Sequence, residues 1–220
     1  MVARSCAWKP LQLRERYLRI AYERRSLRFS DAFARAHGLG RRSTLFIIVT
    51  EHAGLIALVD VHYKGEGARA ACVTALNWDD ATASAEWTVQ VPHVAEYRPG
   101  FFFERELPCI LAVLERAPAE PRVIVVDGYV VLDEQGRPGL GAHLFERLGE
   151  RVPVIGIAKR SFARSEFAQR VVRGSSQNPL FVTALGISHA EAAQHVQQMH
   201  GPHRIPTLCP RVDHLCRGLV

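Results

Sequence analysis

The stretch Val123-Ile124-Val125-Val126-Asp127-Gly128 decides how the rest of this chain is interpreted. Four consecutive β-branched residues, closed by an aspartate and a glycine, are typical of a short strand that is buried on both faces. A second apolar run follows at 152–159, after a stretch with helical spacing at 140–150. Strand, helix and strand in this order predict a parallel βαβ unit.

Three further strand-like runs precede this unit, at Leu55–Tyr63, Ala68–Trp78 and Ala83–Val91. The turns between them are short, and short connections predict an antiparallel meander. A meander followed by parallel βα units resembles the RNase H-like architecture. We therefore expect an α/β fold whose mixed sheet is flanked by helices.

Other elements fit this plan. Apolar residues recur at helical spacing over 101–116, and residues 178–184 have the composition of a strand. Ser188, with Glu191 three residues later, is a capping box that predicts a helix over Ser188–Met199. Residues 1–50 are different in character, because Arg, Leu and Ala dominate them, and we expect a basic helical segment there. Residues 51–220 would form the main domain.

Composition and charge restrict the class of protein. The formal net charge of +6 suits a polyanionic partner, because Lys and Arg that neutralise phosphates release counterions. Neither a signal-type apolar segment nor an apolar run of membrane-spanning length is present, so we expect a cytoplasmic monomer without membrane contact.

The five cysteines are irregularly spaced, which favours reduced thiols over a disulfide framework. Two of them, Cys209 and Cys216, lie near His200 and His203 in the sequence and raise the question of a zinc site. No C-x-x-C pair is present, and the spacing therefore does not favour structural zinc.

Three acidic residues occupy positions where a carboxylate is costly. Asp60 interrupts the first apolar strand, Asp127 closes the strand quoted above, and Glu106 lies beside the apolar stripe of the helix at 101–116. Carboxylates that converge in such a setting are ligands for a hard cation such as Mg²⁺ or Mn²⁺. The alternative for each aspartate is a turn cap or a partner for a buried arginine.

At these residues the sequence resembles the endonuclease V family, whose motifs recur here in the family's order over about residues 55–215. The segments that carry the resemblance are Val59-Asp60-Val61, Tyr97–Glu106, Val126-Asp127-Gly128, Gly139–His143, Pro153–Lys159, Asn178–Val182 and Arg204-Ile205-Pro206. Residues 51–220 would accordingly be a nuclease domain of RNase H fold, while residues 1–50 match no motif of the family.

The resemblance implies Mg²⁺-dependent hydrolysis, with Mn²⁺ as a possible substitute, at the second phosphodiester 3′ to deoxyinosine, or near inosine in RNA. The partner would be nucleic acid, namely DNA, with RNA as the alternative. Asp60, Glu106 and Asp127 would bind the metal, and Lys159 would lie near the scissile phosphate. A further acidic or histidine ligand near the C-terminus would be Asp213 or His214, and the sequence does not separate the two.

The same resemblance assigns six residues to nucleic-acid binding: Tyr97, Pro99, Gly100, Gly128, Gly141 and His143. Tyr97 and Pro99 would form a wedge that fills the gap left by an extruded base, since an aromatic ring restores part of the lost stacking.

The loop after Gly128 departs from the family's pattern, which has a small polar residue or histidine, then glycine, and a histidine farther on. Here Tyr129 and Val130 follow, and Asp133 stands where the histidine is expected, with possible contacts to metal or to Lys159. We therefore expect inosine cleavage that is slower or less selective. The alternatives are an RNase H-like nuclease of other structure specificity and a non-catalytic nucleic-acid-binding homologue.

Overall fold

The structure is a computed structural model that describes residues 54–96, 98–162 and 167–219. The basic helical segment predicted for residues 1–50 and the predicted wedge residue Tyr97 lie outside the described residues. The described elements, in chain order, are β1 Ile56–Lys64, β2 Gly67–Ala75, β3 Ala85–Val91, α1 Phe103–Leu114, β4 Val123–Asp127, α2 Leu140–Arg147, β5 Val154–Ala158, β6 Gln169–Val171, β7 Leu180–Leu185, α3 His189–Gln198 and α4 Leu208–Arg217.

The described strands form a seven-stranded sheet in the order β3-β2-β1-β4-β5-β7-β6. Strands β1, β2 and β3 are an antiparallel meander, and β4 pairs in parallel with both β1 and β5. Strand β7 runs antiparallel to β5 and to β6. This topology confirms the predicted mixed sheet, with its meander followed by parallel βα units.

Three details differ from the expectation, one of which is that strand β6 was not predicted from the sequence. The second strand ends at Ala75 rather than Trp78, because the Asp80 carboxylate accepts hydrogen bonds from the backbone N–H groups of Leu76 and Asn77, both at 2.9 Å, and closes a turn there. Helix α4 was not predicted from the sequence. It packs against β1 and β2 and supplies part of the candidate site.

The sheet has a hydrophobic core on each face, and alternate residues of each strand supply one core or the other. Ile56 and Leu58 of β1 pack with residues of α3 and α4, whereas Ala57 and Val59 pack with residues of α1 and α2. This alternation directs Asp60, two residues after Leu58, to the face that α4 covers. No helix within the described ranges is long and apolar enough to span a membrane.

Gly156 of β5 lets the loop after β4 cross close to the sheet. A Cβ atom at this position would lie 2.5 Å from the Gly128 carbonyl oxygen and 2.8 Å from the Val130 amide nitrogen. Both are backbone atoms, so neither contact is relieved by a side-chain rotation. The loop that leaves Asp127 therefore depends on a residue without a side chain in the neighbouring strand.

We expect Gly156→Ala to lower the free energy of unfolding by roughly 1–3 kcal/mol, since added volume forces the backbone of a packed region to move. Urea denaturation of the full chain measures this change. Ile155→Val, which removes a methyl group from the preceding residue of β5, is the matched control and should cost about 0.5–1.5 kcal/mol. A Gly156→Ala protein as stable as the wild type would contradict this account of the loop.

Candidate active site

Asp60 lies in β1 one residue beyond the last position at which β1 pairs with β4. Its Oδ1 accepts a hydrogen bond from the Val61 backbone N–H at 2.8 Å, which fixes the orientation of the carboxylate. Burial, together with the charges of Asp127 and Asp213, raises the pKa of Asp60 to about 6 against the lowering effect of that hydrogen bond. Asp60 therefore carries its charge in a partly buried site that is already negative.

Glu106 reaches the same site from the first turn of α1. Its side chain is 7% exposed, and its buried Oε2 has no hydrogen-bond partner. Burial raises the pKa of Glu106 to about 8, with further contributions from the negative charges of Asp60 and Asp127. A buried carboxylate oxygen without a partner costs free energy unless a cation or a donor satisfies it.

Asp127 and Lys159 stand at the carboxyl ends of the adjacent parallel strands β4 and β5. The Lys159 Nζ donates to Asp127 Oδ2 at 2.6 Å, and both side chains are about half exposed. Burial lowers the pKa of Lys159, but the hydrogen bond to Asp127 and the charges of the acidic residues around it outweigh that effect, and its pKa is raised. Lys159 therefore remains cationic at the edge of an acidic site.

The sequence did not show whether Asp213 or His214 lies near Asp60. The position of helix α4 distinguishes the two. A carboxylate oxygen of Asp213, one of Asp60 and the Cys216 Sγ all lie within 4.8 Å of one another, whereas His214 is exposed. Asp213 is also held by Arg217, whose Nε lies 2.7 Å from its Oδ1. The structure thus brings Asp213, and not His214, to Asp60.

Cys216 was not predicted as a site residue, although its i, i+3 spacing from Asp213 on one helix places the two side chains on the same face. Burial raises the pKa of its thiol to about 12, with further contributions from Asp60 and Asp213. Cys209, His200 and His203, considered above for zinc, do not join it in a group of potential ligands within the described part of the chain.

The chemistry of this donor set fits a hard divalent cation. Asp60 and Asp213 bring carboxylate oxygens to within 4.8 Å of each other, whereas Glu106 and Asp127 do not join that group and interact with Asp60 through their charges. The Glu106 Oε2 is buried without a hydrogen-bond partner, and a cation would satisfy it. Oxygen ligands of this kind are those that Mg²⁺ and Mn²⁺ prefer.

Of the residues assigned to nucleic acid, Pro99 and Gly100 lie in an exposed turn that leads into α1. Gly100 has a φ of 83°, a left-handed conformation that favours glycine. Phe101 and Phe102, which follow it, remain 42% and 45% exposed. The turn therefore presents apolar rings to solvent beside the helix that carries Glu106.

Gly141 and His143 have packing partners in the structure. Gly141 is buried, and a Cβ atom there would lie 2.6 Å from the Cγ2 of Val130. The His143 ring stacks on Phe103, with ring centroids 3.6 Å apart and an interplanar angle of 18°. The two residues thus hold α2 against the loop after β4 and against α1.

The loop after Gly128 is anchored at several points. Val130 is buried, and its backbone N–H donates to the Thr183 hydroxyl at 2.9 Å. The Tyr129 hydroxyl donates to the Arg160 carbonyl oxygen at 2.9 Å and accepts from the Phe162 N–H at 3.0 Å. This loop is therefore tied both to β7 and to the segment after Lys159.

Asp133 does not make the contact with Lys159 that its place in the sequence suggested. Its Oδ1 accepts from the Arg137 backbone N–H at 3.0 Å, and its Oδ2 lies 3.0 Å from the Arg137 Nε. Lys159 is paired with Asp127 instead. The aspartate in the place of the expected histidine closes a local turn, and its charge is balanced there.

We expect Glu106→Gln to stabilise the ion-free protein increasingly as pH rises from about 4.5 to about 8. The folded chain keeps the Glu106 proton up to about pH 8, while the unfolded chain loses it near the ordinary value of 4.5, so the folded state binds more protons in this window and loses stability as pH rises. The gain at pH 8 should be on the order of 1–3 kcal/mol. Denaturation in the presence of a chelator, at a series of pH values, measures it.

Glu104→Gln is the control, since Glu104 lies on the same helix in an ion pair with Arg98 at the surface. Its stability curve should run parallel to that of the wild type. If the Glu106→Gln curve were also parallel, the raised pKa of Glu106 would be excluded.

Comparison with known proteins identifies the family. The Endonuclease V family model matches residues 47–198. Endonuclease V of Streptomyces avermitilis is 33% identical over 191 residues, covering 74% of this chain and 80% of the relative. Its crystal structure superposes with a TM-score of 0.62 at 29% identity, over 76% of this chain and 82% of that one. Endonuclease V of Ciona intestinalis, in complex with a 24mer DNA containing an inosine followed by a ribo-adenosine, shares the fold with a TM-score of 0.63 at 20% identity, over 76% and 85% of the two chains. This chain, with its RNase H-like sheet and its acidic site, belongs to the endonuclease V family.

Proposed function

We propose that this protein is a Mg²⁺-dependent endonuclease that hydrolyses a phosphodiester on the 3′ side of deoxyinosine, or of inosine in RNA. The observation that carries the proposal is the set of carboxylates around the point where the pairing of β1 with β4 ends, where Asp60 lies beside Asp213, Asp127 pairs with Lys159 at 2.6 Å, and the buried Glu106 has an oxygen without a hydrogen-bond partner. Asp60, Glu106, Asp127 and Lys159 each belong to a motif of the endonuclease V family, and the relative solved with inosine-containing DNA supports the choice of substrate.

The residues that would hold the ion are Asp60, Glu106, Asp127 and Asp213. A bound Mg²⁺ activates water and stabilises negative charge on a phosphate under attack. Val61 fixes the Asp60 carboxylate through its backbone N–H, and burial removes water from around Glu106. The Asp60 carboxylate is therefore oriented before any ligand arrives, which limits the reorganisation needed during the reaction.

Lys159 would bind a phosphate oxygen of the substrate. Its ammonium group is cationic, half exposed and held 2.6 Å from Asp127, so it is available to a phosphate oxygen at the rim of the acidic site. A fixed positive charge at this position offsets the repulsion between an acidic site and a polyanion. It also places the phosphodiester next to the carboxylates that would bind the ion.

A basic groove would guide the nucleic-acid strand to this site. A cavity of about 550 Å³ beside the end of α4 is lined by His62, Lys64, Arg69 and Arg217, which outnumber the one acidic residue there, Glu66. Cys216 also lines this cavity, which makes the groove continuous with the cluster of Asp60 and Asp213. Positive charge along such a groove suits a phosphate backbone.

The loop after Asp127 would border the base. Gly128 has a φ of 118° and no side chain, so its backbone is open to close approach by a base. The anchoring of Tyr129 and Val130 makes this loop rigid, and a rigid loop selects among bases by fit. Tyr97, with Pro99, would fill the space that an extruded base leaves in the duplex.

The same loop supports one alternative, a nuclease of the same chemistry that recognises another structure, such as a branch or a mismatch. The support is that Tyr129 and Val130 stand where the family has smaller residues, and both are locked in place by hydrogen bonds. Cleavage assays that include branched and mismatched duplexes beside the inosine substrates separate the two proposals.

We expect the wild-type protein to cleave inosine-containing DNA or RNA oligonucleotides in Mg²⁺ and not in chelator. Asp60→Ala and Asp127→Ala should each lower the cleavage rate on the order of 10²-fold or more, since each removes a ligand from the proposed ion. Circular dichroism should show that both variants fold, because loss of one carboxylate relieves repulsion among those that remain.

Asp133→Ala is the matched control, as it removes an acid from the same loop that is paired with Arg137 instead. Its cleavage rate should stay close to that of the wild type. An Asp127→Ala rate near the wild-type rate would rule out the proposed ion site, and cleavage of branched or mismatched duplexes alone would favour the alternative.

We expect the double variant Lys64→Ala, Arg69→Ala to weaken binding to all sequences alike and to reduce the dependence of affinity on salt. Each phosphate contact contributes about 0.9 to the slope of log K against log salt for duplex DNA, so the slope should fall by roughly 1–2. Fluorescence anisotropy over a salt series in Ca²⁺ or chelator measures it. The control, Arg116→Ala with Arg147→Ala, removes the same charge from exposed positions at the ends of α1 and α2, and an equal change in that control would refute the groove.

A further inference from the structure

The backbone that carries Lys159 lies beyond the hydrogen-bond ladder of the sheet. Pairing of β5 with β4 ends at Ile157, and its pairing with β7 ends at Ala158. Residues 159–162 belong to none of the described strands, so no neighbouring strand holds their backbone groups. The position of the Lys159 ammonium group therefore depends on contacts that side chains make with this segment.

Tyr129 holds the segment from the side of β4. Its hydroxyl donates to the Arg160 carbonyl oxygen at 2.9 Å and accepts from the Phe162 backbone N–H at 3.0 Å. The rings of Tyr129 and Phe162 also lie against each other, with centroids 6.0 Å apart. Burial raises the pKa of Tyr129, so the hydroxyl keeps the proton that it donates. One side chain thus fixes two backbone groups, which lie one and three residues after Lys159.

Arg204 holds the same segment from the side of β7. Its Nη2 donates to the Lys159 carbonyl oxygen and, at 2.8 Å, to the carbonyl oxygen of Pro179, the residue before β7. An Nη nitrogen carries two N–H bonds, so it can donate to both oxygens. Because β5 lies between β4 and β7 in the sheet, Tyr129 and Arg204 reach the segment from opposite sides.

We propose that Tyr129 and Arg204 are positioning residues that set the place of the Lys159 ammonium group through the backbone that carries it. They fix three backbone groups, at Lys159 itself and at the first and third residues after it. A lysine on a fixed backbone has only its own side chain to order when a phosphate binds, and this lowers the entropy cost of binding and of alignment. The proposal rests on the proposed function, in which Lys159 binds a phosphate oxygen.

The Tyr129 contact also connects two parts of the candidate site. Tyr129 belongs to the loop that would border the base, whereas Lys159 would contact the phosphate. The family's pattern has a small polar residue or a histidine where Tyr129 stands, so the link through a tyrosine hydroxyl is a departure from that pattern. The distance between the loop and the lysine segment is therefore fixed by a side chain with two hydrogen bonds.

The contact can be tested without any measurement of activity. Tyr129→Phe removes the hydroxyl and keeps the ring, so the Phe162 amide hydrogen of the full-length protein should exchange about tenfold faster, the scale of one lost hydrogen bond. Tyr63→Phe is the matched control, since the Tyr63 hydroxyl has no hydrogen-bond partner among the described residues. It should leave the exchange rate at Phe162 unchanged.

Single-turnover cleavage of an inosine-containing oligonucleotide in Mg²⁺ tests the positioning of Lys159. Tyr129→Phe should lower the rate constant on the order of tenfold with little change in Kd, because the substrate still binds while the ammonium group is misaligned. Arg204→Lys keeps the charge but loses the planar guanidinium, and it should act in the same way. In a Lys159→Ala background neither substitution should lower the rate by more than about twofold, since both act through Lys159.

The outcomes separate this proposal from the proposed function. An unchanged exchange rate at Phe162 in Tyr129→Phe would show that the hydroxyl does not hold the segment, and an unchanged cleavage rate in both variants would overturn the positioning role. The same fold loss with and without Lys159 would overturn it too, because the two residues would then act independently of the lysine. If the wild type cleaves no inosine substrate, the proposed function fails, and the exchange rates still decide whether Tyr129 fixes the segment.

Discussion

The burial of carboxylates near one another is the constraint on which the rest of this structure depends. Burial and the charge of Asp127 raise the pKa values of both Asp60 and Glu106, and Glu106 keeps an oxygen without a partner. A folded chain tolerates such a cluster only if the rest of the domain supplies enough stability, which the two hydrophobic cores on the faces of the sheet provide. Retention of costly charges at one place is what a site for cations or phosphates requires.

The sheet determines where these charges meet. Strands β1 and β4 are parallel and adjacent, so Asp60 and Asp127 emerge where their pairing ends, and Lys159 emerges at the same end of the next parallel strand. Helix α1 brings Glu106 from one face of the sheet, and α4 brings Asp213 and Cys216 from the other. Residues from five separate elements therefore contribute to the candidate site, and their relative positions depend on packing on both sides of the sheet.

The loop after β4 shows how close packing and recognition are linked. Gly156 and Gly141 let Gly128–Val130 pass near the sheet and near α2, and the Thr183 hydroxyl satisfies the buried N–H of Val130. Tyr129 joins the loop to the segment after Lys159. The residues in which this chain departs from the family's pattern thus have defined structural partners, and they shape the rim of the site without entering the acidic cluster.

Much of the fold, and some of the candidate site residues, could be predicted from the sequence by itself. Apolar runs of strand length, the turns between them and the βαβ order determined the mixed sheet, because hydrophobic periodicity and turn chemistry act locally. An aspartate within or at the end of such a run is expensive wherever it lies, so the local sequence alone marks Asp60 and Asp127 as candidate site residues. The capping box at Ser188 is also a signal within the local sequence. In the structure the Ser188 hydroxyl accepts a hydrogen bond from the Glu191 backbone N–H, as predicted.

Only the tertiary structure decided which side chains share a site. Asp213 and His214 are neighbours in sequence but point about 100° apart on a helix, and the packing of α4 on β1 and β2 turns Asp213 inward. The proximity of Cys216 to Asp60 spans 156 residues of sequence and has no local signal. The pairing of Asp133 with Arg137 rather than Lys159 likewise follows from the path of the loop. Local patterns specify elements, whereas contacts between distant residues depend on how the elements pack against one another, and that is a property of the whole fold.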